Sequence, residues 1–317
     1  MTELHELAEP FSSGFIDVGD GHRVAWSQAG NPVGKPALIL HGGPGSGSSP
    51  NTRRMFDPTL YRAIQFDQRN CGQSTPSAAE PFVDLAANTT QHLLSDIESL
   101  RSHLGVERWL VWGGSWGTTL ALAYAEAYPE RVSELVMSSI TTTSSAEVEW
   151  ITRTMARLFP ERWNDFVEYL PAGARQQNLA LAYNQLLMDP DPQVHRPAAR
   201  AWCLWEDTHV SLQHGFAPRL SGSDIDFQVC FARLVTHYWA NSAFLEDGQL
   251  LAHARRLADV PTFMVHGRMD VSSPVSIAYE LARAIPGARL HIVEANGHGG
   301  PEMSLWVKGV LDELAGA

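Results

Sequence analysis

Val111-Trp112-Gly113-Gly114-Ser115-Trp116-Gly117 reads as a strand that ends in a sharp turn and starts a helix. The spacing of Gly113, Ser115 and Gly117 is the G-x-S-x-G of a nucleophile elbow. The central serine of such a turn takes a strained backbone conformation that pushes its hydroxyl outward. Residues two positions to either side must be small, because strand and helix nearly touch across them. Glycine and serine are common in loops, so the context carries the reading. Arg108-Trp109-Leu110-Val111-Trp112 supplies a largely apolar strand before the turn, and residues 118–125 supply a helix after it.

Upstream, residues 15–18 and 23–28 suggest a hairpin around Gly19-Asp20-Gly21. Ala37-Leu38-Ile39-Leu40 and Ala63-Ile64-Gln65-Phe66 are short apolar runs, the pattern of buried parallel strands. Residues 89–104 carry apolar side chains at helical spacing, and Leu135-Val136-Met137 reads as the next strand. From about Thr141 to about Leu250 the character changes to helical spacing, with Trp150, Trp163, Trp202, Trp205 and Trp239 prominent. Pro160, Pro171, Pro190, Pro192, Pro197 and Pro218 are expected to break this stretch into several short helices. Thr262-Phe263-Met264-Val265 and Arg289-Leu290-His291-Ile292-Val293 then restore the buried-strand pattern.

The expected fold class is α/β, a mostly parallel sheet with flanking helices and an inserted helical domain. The catalytic domain is expected from residues 1–140 and 251–317, and the insertion from residues 141–250. An insertion of about 110 residues lies within the usual domain range. Its tryptophans are read as helix packing rather than a ligand cage.

Composition excludes several classes. A formal net charge of −12 argues against nucleic acid or an anionic membrane as partner. No window approaches the roughly 18 apolar residues of a membrane span, and residues 1–11 lack the features of a signal peptide. The 3 cysteines, Cys71, Cys203 and Cys230, are scattered and form neither a metal motif nor a disulfide framework. The reading is a cytoplasmic protein with free thiols and no metal or other cofactor.

A serine hydroxyl needs a base, an orienting carboxylate and an oxyanion hole. The order Ser, Asp, His along the chain suits this architecture. Asp270 lies just past an expected strand end, and His298 lies in the loop Asn296-Gly297-His298-Gly299 after the next strand. The alternative for Asp270 is a helix N-cap. The oxyanion donors are read as the backbone N–H groups of Trp116, directly after the nucleophile, and of Gly43 in His41-Gly42-Gly43-Pro44-Gly45. Asp67, Gln68, Arg69 and Asn70 are read as supplying a buried ion pair that braces that loop, and Cys71 as a small core residue.

Taken together, these stretches resemble the proline iminopeptidase family of serine peptidases in the α/β-hydrolase superfamily. The resemblance rests on His41-Gly42-Gly43-Pro44-Gly45, Asp67-Gln68-Arg69 with Cys71-Gly72, and Gly113-Gly114-Ser115-Trp116-Gly117. His266-Gly267-Arg268 with Asp270, and Gly297-His298, complete it. It implies a helical cap over the site, cap carboxylates that bind a free N-terminal amine, and an apolar pocket for a proline ring. Glu206 matches one such carboxylate. Val235 stands where the family places a second, Thr141 where it places an aromatic residue, and Asn70 where it more often has glycine. Loss of one buried acidic partner weakens ammonium binding by roughly 2–5 kcal/mol. Glu246 and Asp247 are candidates to replace it. The implied activity is release of an N-terminal residue, preferably proline, from short peptides. The alternatives are an esterase or amidase acting on a small metabolite, and a non-catalytic ligand sensor.

Overall fold

The computed structural model describes residues 3–210 and 220–316. The sheet contains β1 (Pro10–Asp17), β2 (Arg23–Gly30), β3 (Lys35–Leu40), β4 (Tyr61–Phe66), β5 (Trp109–Gly114), β6 (Val132–Ser138), β7 (Thr262–Gly267) and β8 (Arg289–Val293). Their spatial order is β1-β2-β4-β3-β5-β6-β7-β8. The β1–β2 hairpin joins β4 antiparallel, and every pairing from β4 through β8 is parallel. β3 lies between β4 and β5, so the chain reverses its direction of travel across the sheet there. That switch point opens a crevice at the carboxyl ends of the strands.

Helices cover both faces. α1 (Thr90–His103), α2 (Trp116–Ala127), α8 (Gln249–His253) and α9 (Val275–Ala284) bury one set of apolar side chains, including Ile97, Leu120, Leu250 and Leu281, against Leu38, Leu40 and Met264. On the other face Met303, Val307 and Leu311 of α10 (Pro301–Ala315) pack on Ala37, Ile39, Val136 and Val265. Strands sandwiched this way are apolar on both sides, which is why their sequences run continuously apolar instead of alternating.

α3 (Ser145–Thr152), α4 (Pro160–Glu168), α5 (Leu179–Leu187), α6 (Pro192–Val210) and α7 (Ile225–Ala240) follow β6 in the chain. They enclose an apolar core of their own around Phe166, Tyr183, Trp202 and Trp205. Phe166 stacks on Tyr183 with ring centroids 4.6 Å apart and on Trp205 with centroids 5.3 Å apart. The tryptophans therefore pack helices. Pro160 and Pro192 sit in the first turns of α4 and α6, where a missing N–H costs nothing. Pro197 departs from expectation, since it lies inside α6 without ending it. Burial of Ala198, Ala199, Trp202 and Trp205 just beyond it outweighs the one lost backbone bond. Pro218 lies outside the described residues. Among the described residues no helix is long and apolar enough to cross a membrane.

The tightest junction in the fold is the turn between β5 and α2. A Cβ on Gly113 would overlap the Gly117 carbonyl, and a Cβ on Gly117 would overlap the Leu40 carbonyl at the end of β3. Gly117→Ala should therefore lower unfolding stability by about 2 kcal/mol, read as a lower urea midpoint at unchanged m-value.

Candidate active site

Ser115 occupies the turn with φ 56° and ψ −129°, a conformation that few non-glycine residues adopt. Its N–H donates to the Ser138 carbonyl at 3.1 Å, and its carbonyl accepts from the Thr118 N–H at 2.7 Å. These bonds hold the backbone in place and leave the hydroxyl facing the crevice. There Ser115 Oγ lies 2.9 Å from His298 Nε2, and His298 Nδ1 lies 2.9 Å from Asp270 Oδ2. An ionised carboxylate only accepts, so Nδ1 carries the proton and Nε2 accepts from the serine. The arrangement can draw a proton from the Ser115 hydroxyl and hold it on the imidazole.

Asp270 is fully enclosed. Besides His298 it accepts the Ser273 N–H at 3.0 Å, and the His266 ring lies 3.6 Å away. Burial alone would raise its carboxyl, but the His298 charge and hydrogen bond, with His266 and Ser273, hold it below the usual carboxylate range. Burial likewise works to lower His298, and the Asp270 carboxylate overrides it and raises the imidazole above its ordinary value. Asp270 is not the N-cap of α9, because Pro274 holds that position.

The other motif histidines are braces. His41 Nδ1 donates to the Gly42 carbonyl at 2.9 Å, and its Nε2 accepts the Gln68 N–H at 3.0 Å. His266 Nε2 donates to the Ser273 carbonyl at 2.7 Å, and its Nδ1 accepts the Ile140 N–H at 3.0 Å. Each ring is satisfied by backbone on both sides, and burial lowers both pKa values, so both stay neutral.

The loop after β3 borders the serine. A Cβ on Gly42 would meet Ser115 Cβ at 3.3 Å, and Gly43 takes φ +113° in a position where a side chain would strike the Gly45 and Ser46 amides. Trp116 is the first residue of α2, so its N–H has no partner within the helix. Gln68 ties the two pieces together, donating to the His41 carbonyl at 3.0 Å and accepting from Trp116 Nε1 at 2.9 Å. The expected brace is thus real but differently paired. Arg69 forms its buried ion pair with Asp96 of α1, at 2.7 and 2.8 Å, while Asp67 accepts the Ser48 and Gln73 amides. Asn70 stands at φ 67°, a left-handed conformation that asparagine tolerates better than other side-chain-bearing residues. Cys71 is buried against His41 and the Gln68 carbonyl.

Glu206 lies near the end of α6, 6% exposed, with Oε1 accepting from Trp202 Nε1 at 3.2 Å. Burial pushes its carboxyl up to about 8, and its charge and that of His298 act on one another. Val235 is enclosed in the apolar core of the inserted helices. Thr141 Oγ1 donates to Glu147 at 2.6 Å, and its carbonyl accepts from the Thr118 and Thr119 hydroxyls, so it ties the β6 end to α2. Glu246 and Asp247 are exposed, and Asp247 accepts from the Ser145 N–H and hydroxyl at the start of α3. Neither supplies the missing second carboxylate.

Three participants escaped the sequence reading. Ser139 Oγ donates to the His298 carbonyl at 2.6 Å and fixes the histidine loop. His209 and Ser272 meet at 2.9 Å, joining α6 to the loop that carries Asp270. A histidine three residues after Glu206 on a helix shares its face, which was a readable signal. Nothing local marked Ser139 or Ser272. Among the described residues no group of three or more His, Cys, Asp or Glu side chains could hold a metal ion.

A sequence profile of the alpha/beta hydrolase fold matches residues 35–302. A probable proline iminopeptidase of Streptomyces coelicolor is 47% identical over 299 residues, covering 93% of this chain and 92% of that one. The proline iminopeptidase of Xylella fastidiosa is 42% identical over 300 residues, 94% of each chain. Among solved structures, a proline iminopeptidase from Mycobacterium smegmatis superposes with a TM-score of 0.61 at 22% identity, over 96% of this chain and 99% of that one. An esterase from Exiguobacterium antarcticum gives 0.58 at 18% identity, over 96% of this chain and 100% of that one. At those identities the two superpositions speak for the fold alone.

The raised His298 imidazole is directly measurable. NMR titration should place its pKa above the ordinary 6.5 in the wild type, with the Nδ1 proton far downfield. In Asp270→Asn, burial acts unopposed by the carboxylate, and the same titration should fall below the wild-type value.

Proposed function

Because the chain belongs to the proline iminopeptidase family of the α/β hydrolases, we infer that it is a serine hydrolase that releases an N-terminal residue, preferably proline, from short peptides. The observation that carries the mechanism is the continuous hydrogen-bonded line from Ser115 through His298 to Asp270. In this reading Ser115 Oγ attacks the scissile carbonyl while His298 Nε2 takes its proton. The Gly43 and Trp116 N–H groups receive the developing oxyanion, at the positive end of α2. His298 then protonates the leaving amine, an acyl-enzyme remains on Ser115, and a water activated by the same histidine releases the free amino acid. Asp270 holds the imidazole in the required tautomer and stabilises the imidazolium.

Residues 141–250 serve as a helical cap in this reading. Glu206 reaches from it toward His298 and pairs with the substrate's ammonium group. An ammonium beside a buried carboxylate drives the Glu206 proton to solvent, so binding converts a neutral empty pocket into an ion pair. Val235 favours a second reading alongside the first, in which the pocket reads the amine less stringently and also turns over small esters or amides. The three buried thiols, Cys71, Cys203 and Cys230, all free, support a cytoplasmic location.

Three measurements test this function. Ser115→Ala should lower kcat by about 10⁵- to 10⁶-fold, and retention of most activity would exclude the mechanism. In the wild type, kcat/KM should rise with pH through an ionisation above 6.5, since protonated His298 cannot accept the serine proton. Proline β-naphthylamide should be cleaved far better than its N-acetylated form. Equal turnover of the two, or faster turnover of an acetate ester, would favour the acyl-hydrolase reading.

A further inference from the structure

Among the buried polar atoms of the described residues, His209 Nε2 has no hydrogen-bond partner, although the side chain is 2% exposed. The other ring nitrogen is engaged. Ser272 Oγ donates its single proton to the His209 carbonyl at 3.0 Å, so at 2.9 Å it accepts from Nδ1–H. With the hydroxyl proton on the carbonyl, the ring proton is assigned to Nδ1 and Nε2 presents a lone pair. It faces Glu206 Oε2 at 3.3 Å. Burial keeps the ring neutral, lowering it to about 3, with the nearby His298 charge acting in the same direction. The ring is held edge-on by Trp205, with centroids 5.7 Å apart. A rigid acceptor without a hydrogen bond thus stands beside the Glu206 carboxyl, and the proton that carboxyl holds in the empty pocket leaves when an ammonium binds.

We propose that His209 Nε2 is the second acceptor of the amine subsite, taking the place of the carboxylate that Val235 does not provide. An N-terminal proline is a secondary ammonium with two N–H donors. Glu206 accepts one and neutralises the charge, and His209 accepts the other. A neutral imidazole adds directionality without a second negative charge, so the pocket discriminates by donor geometry as well as by charge. A charged donor left without a partner in a buried site is costly, so the residue sets specificity through substrate affinity. This rests on the aminopeptidase reading above.

The test compares wild type, His209→Asn and His209→Gln. Asparagine keeps an amide donor near Nδ1 for Ser272 and removes the Nε2 acceptor, whereas glutamine carries a carbonyl out to the Nε2 position. Each enzyme is titrated with a fluorophosphonate to count active sites. Then kcat/KM is measured on proline p-nitroanilide and on the p-nitrophenyl ester of cyclopentanecarboxylic acid, which has the ring and no amine. The ratio of the two is the readout. His209→Asn should lower that ratio by roughly ten- to a hundredfold, mainly through KM for the anilide, and His209→Gln should recover part of it. An unchanged ratio in His209→Asn, or a parallel fall on both substrates, would make His209 a brace between α6 and the Asp270 loop and overturn the proposal. Equal loss of the ratio in both variants would also overturn it. If wild type itself fails to favour the amine-bearing substrate when compared with its N-acetylated form, the aminopeptidase reading falls and takes this proposal with it.

Discussion

Everything chemical in this molecule depends on how closely β5, α2 and the end of β3 approach one another at Ser115. Gly113 and Gly117 leave no room for a side chain, and the gap they open is filled by the Gly117 and Leu40 carbonyls. That contact forces the serine into φ 56° and ψ −129°. Holding such a residue costs on the order of 1–3 kcal/mol and persists only where its surroundings over-determine it. Here the Ser138 carbonyl, the Thr118 amide and the two glycine contacts do so. The same approach brings the β3 loop against the serine, with Gly42 packed on its side chain. One steric constraint therefore both exposes the serine hydroxyl and delivers the loop that borders it.

Around that point the polar groups divide into those whose bonds are closed and those left open toward a substrate. His41 and His266 have both nitrogens committed to backbone and are held neutral by burial. Arg69 is spent on Asp96 and on the Val18 and Ala87 carbonyls. These closed groups stiffen the loops after β3, β4 and β7. His298 differs because its two partners are side chains, Asp270 and Ser115. Glu206 and His209 differ because they are buried yet incompletely paired. A protein interior rarely keeps such groups unless something arrives to pair with them.

Most of the sheet was legible because buried parallel strands run continuously apolar, as in Ala37-Leu38-Ile39-Leu40, which β3 extends by two residues, and helix α1 fell close to the expected residues 89–104. Pro197 misled because proline's cost is local, while the burial of the residues after it is set by partners far away in sequence. A buried brace was expected from Asp67, Gln68, Arg69 and Asn70, and the acid that Arg69 pairs with is Asp96, far along the chain on α1. Asn70 read as a departure from a glycine pattern, and its left-handed backbone explains why asparagine serves there. Glu246 and Asp247 were plausible as replacement carboxylates only until their positions were known. Both lie at the surface, and Asp247 accepts from Ser145 at the start of α3.

The sequence by itself determined the fold class, the elbow and the three residues that meet there. Those features depend on short-range rules: apolar period, the two small residues a tight turn demands, and the placement of Asp270 and His298 just after strands. Only the tertiary structure decided which histidines are neutral braces, which acid pairs with Arg69, and what stands beside Glu206 of α6. Those outcomes turn on burial and on which single atoms meet, such as Nε2 of His209 lying 3.3 Å from Glu206. Burial and orientation belong to residues brought together from distant parts of the chain, and no local pattern encodes them.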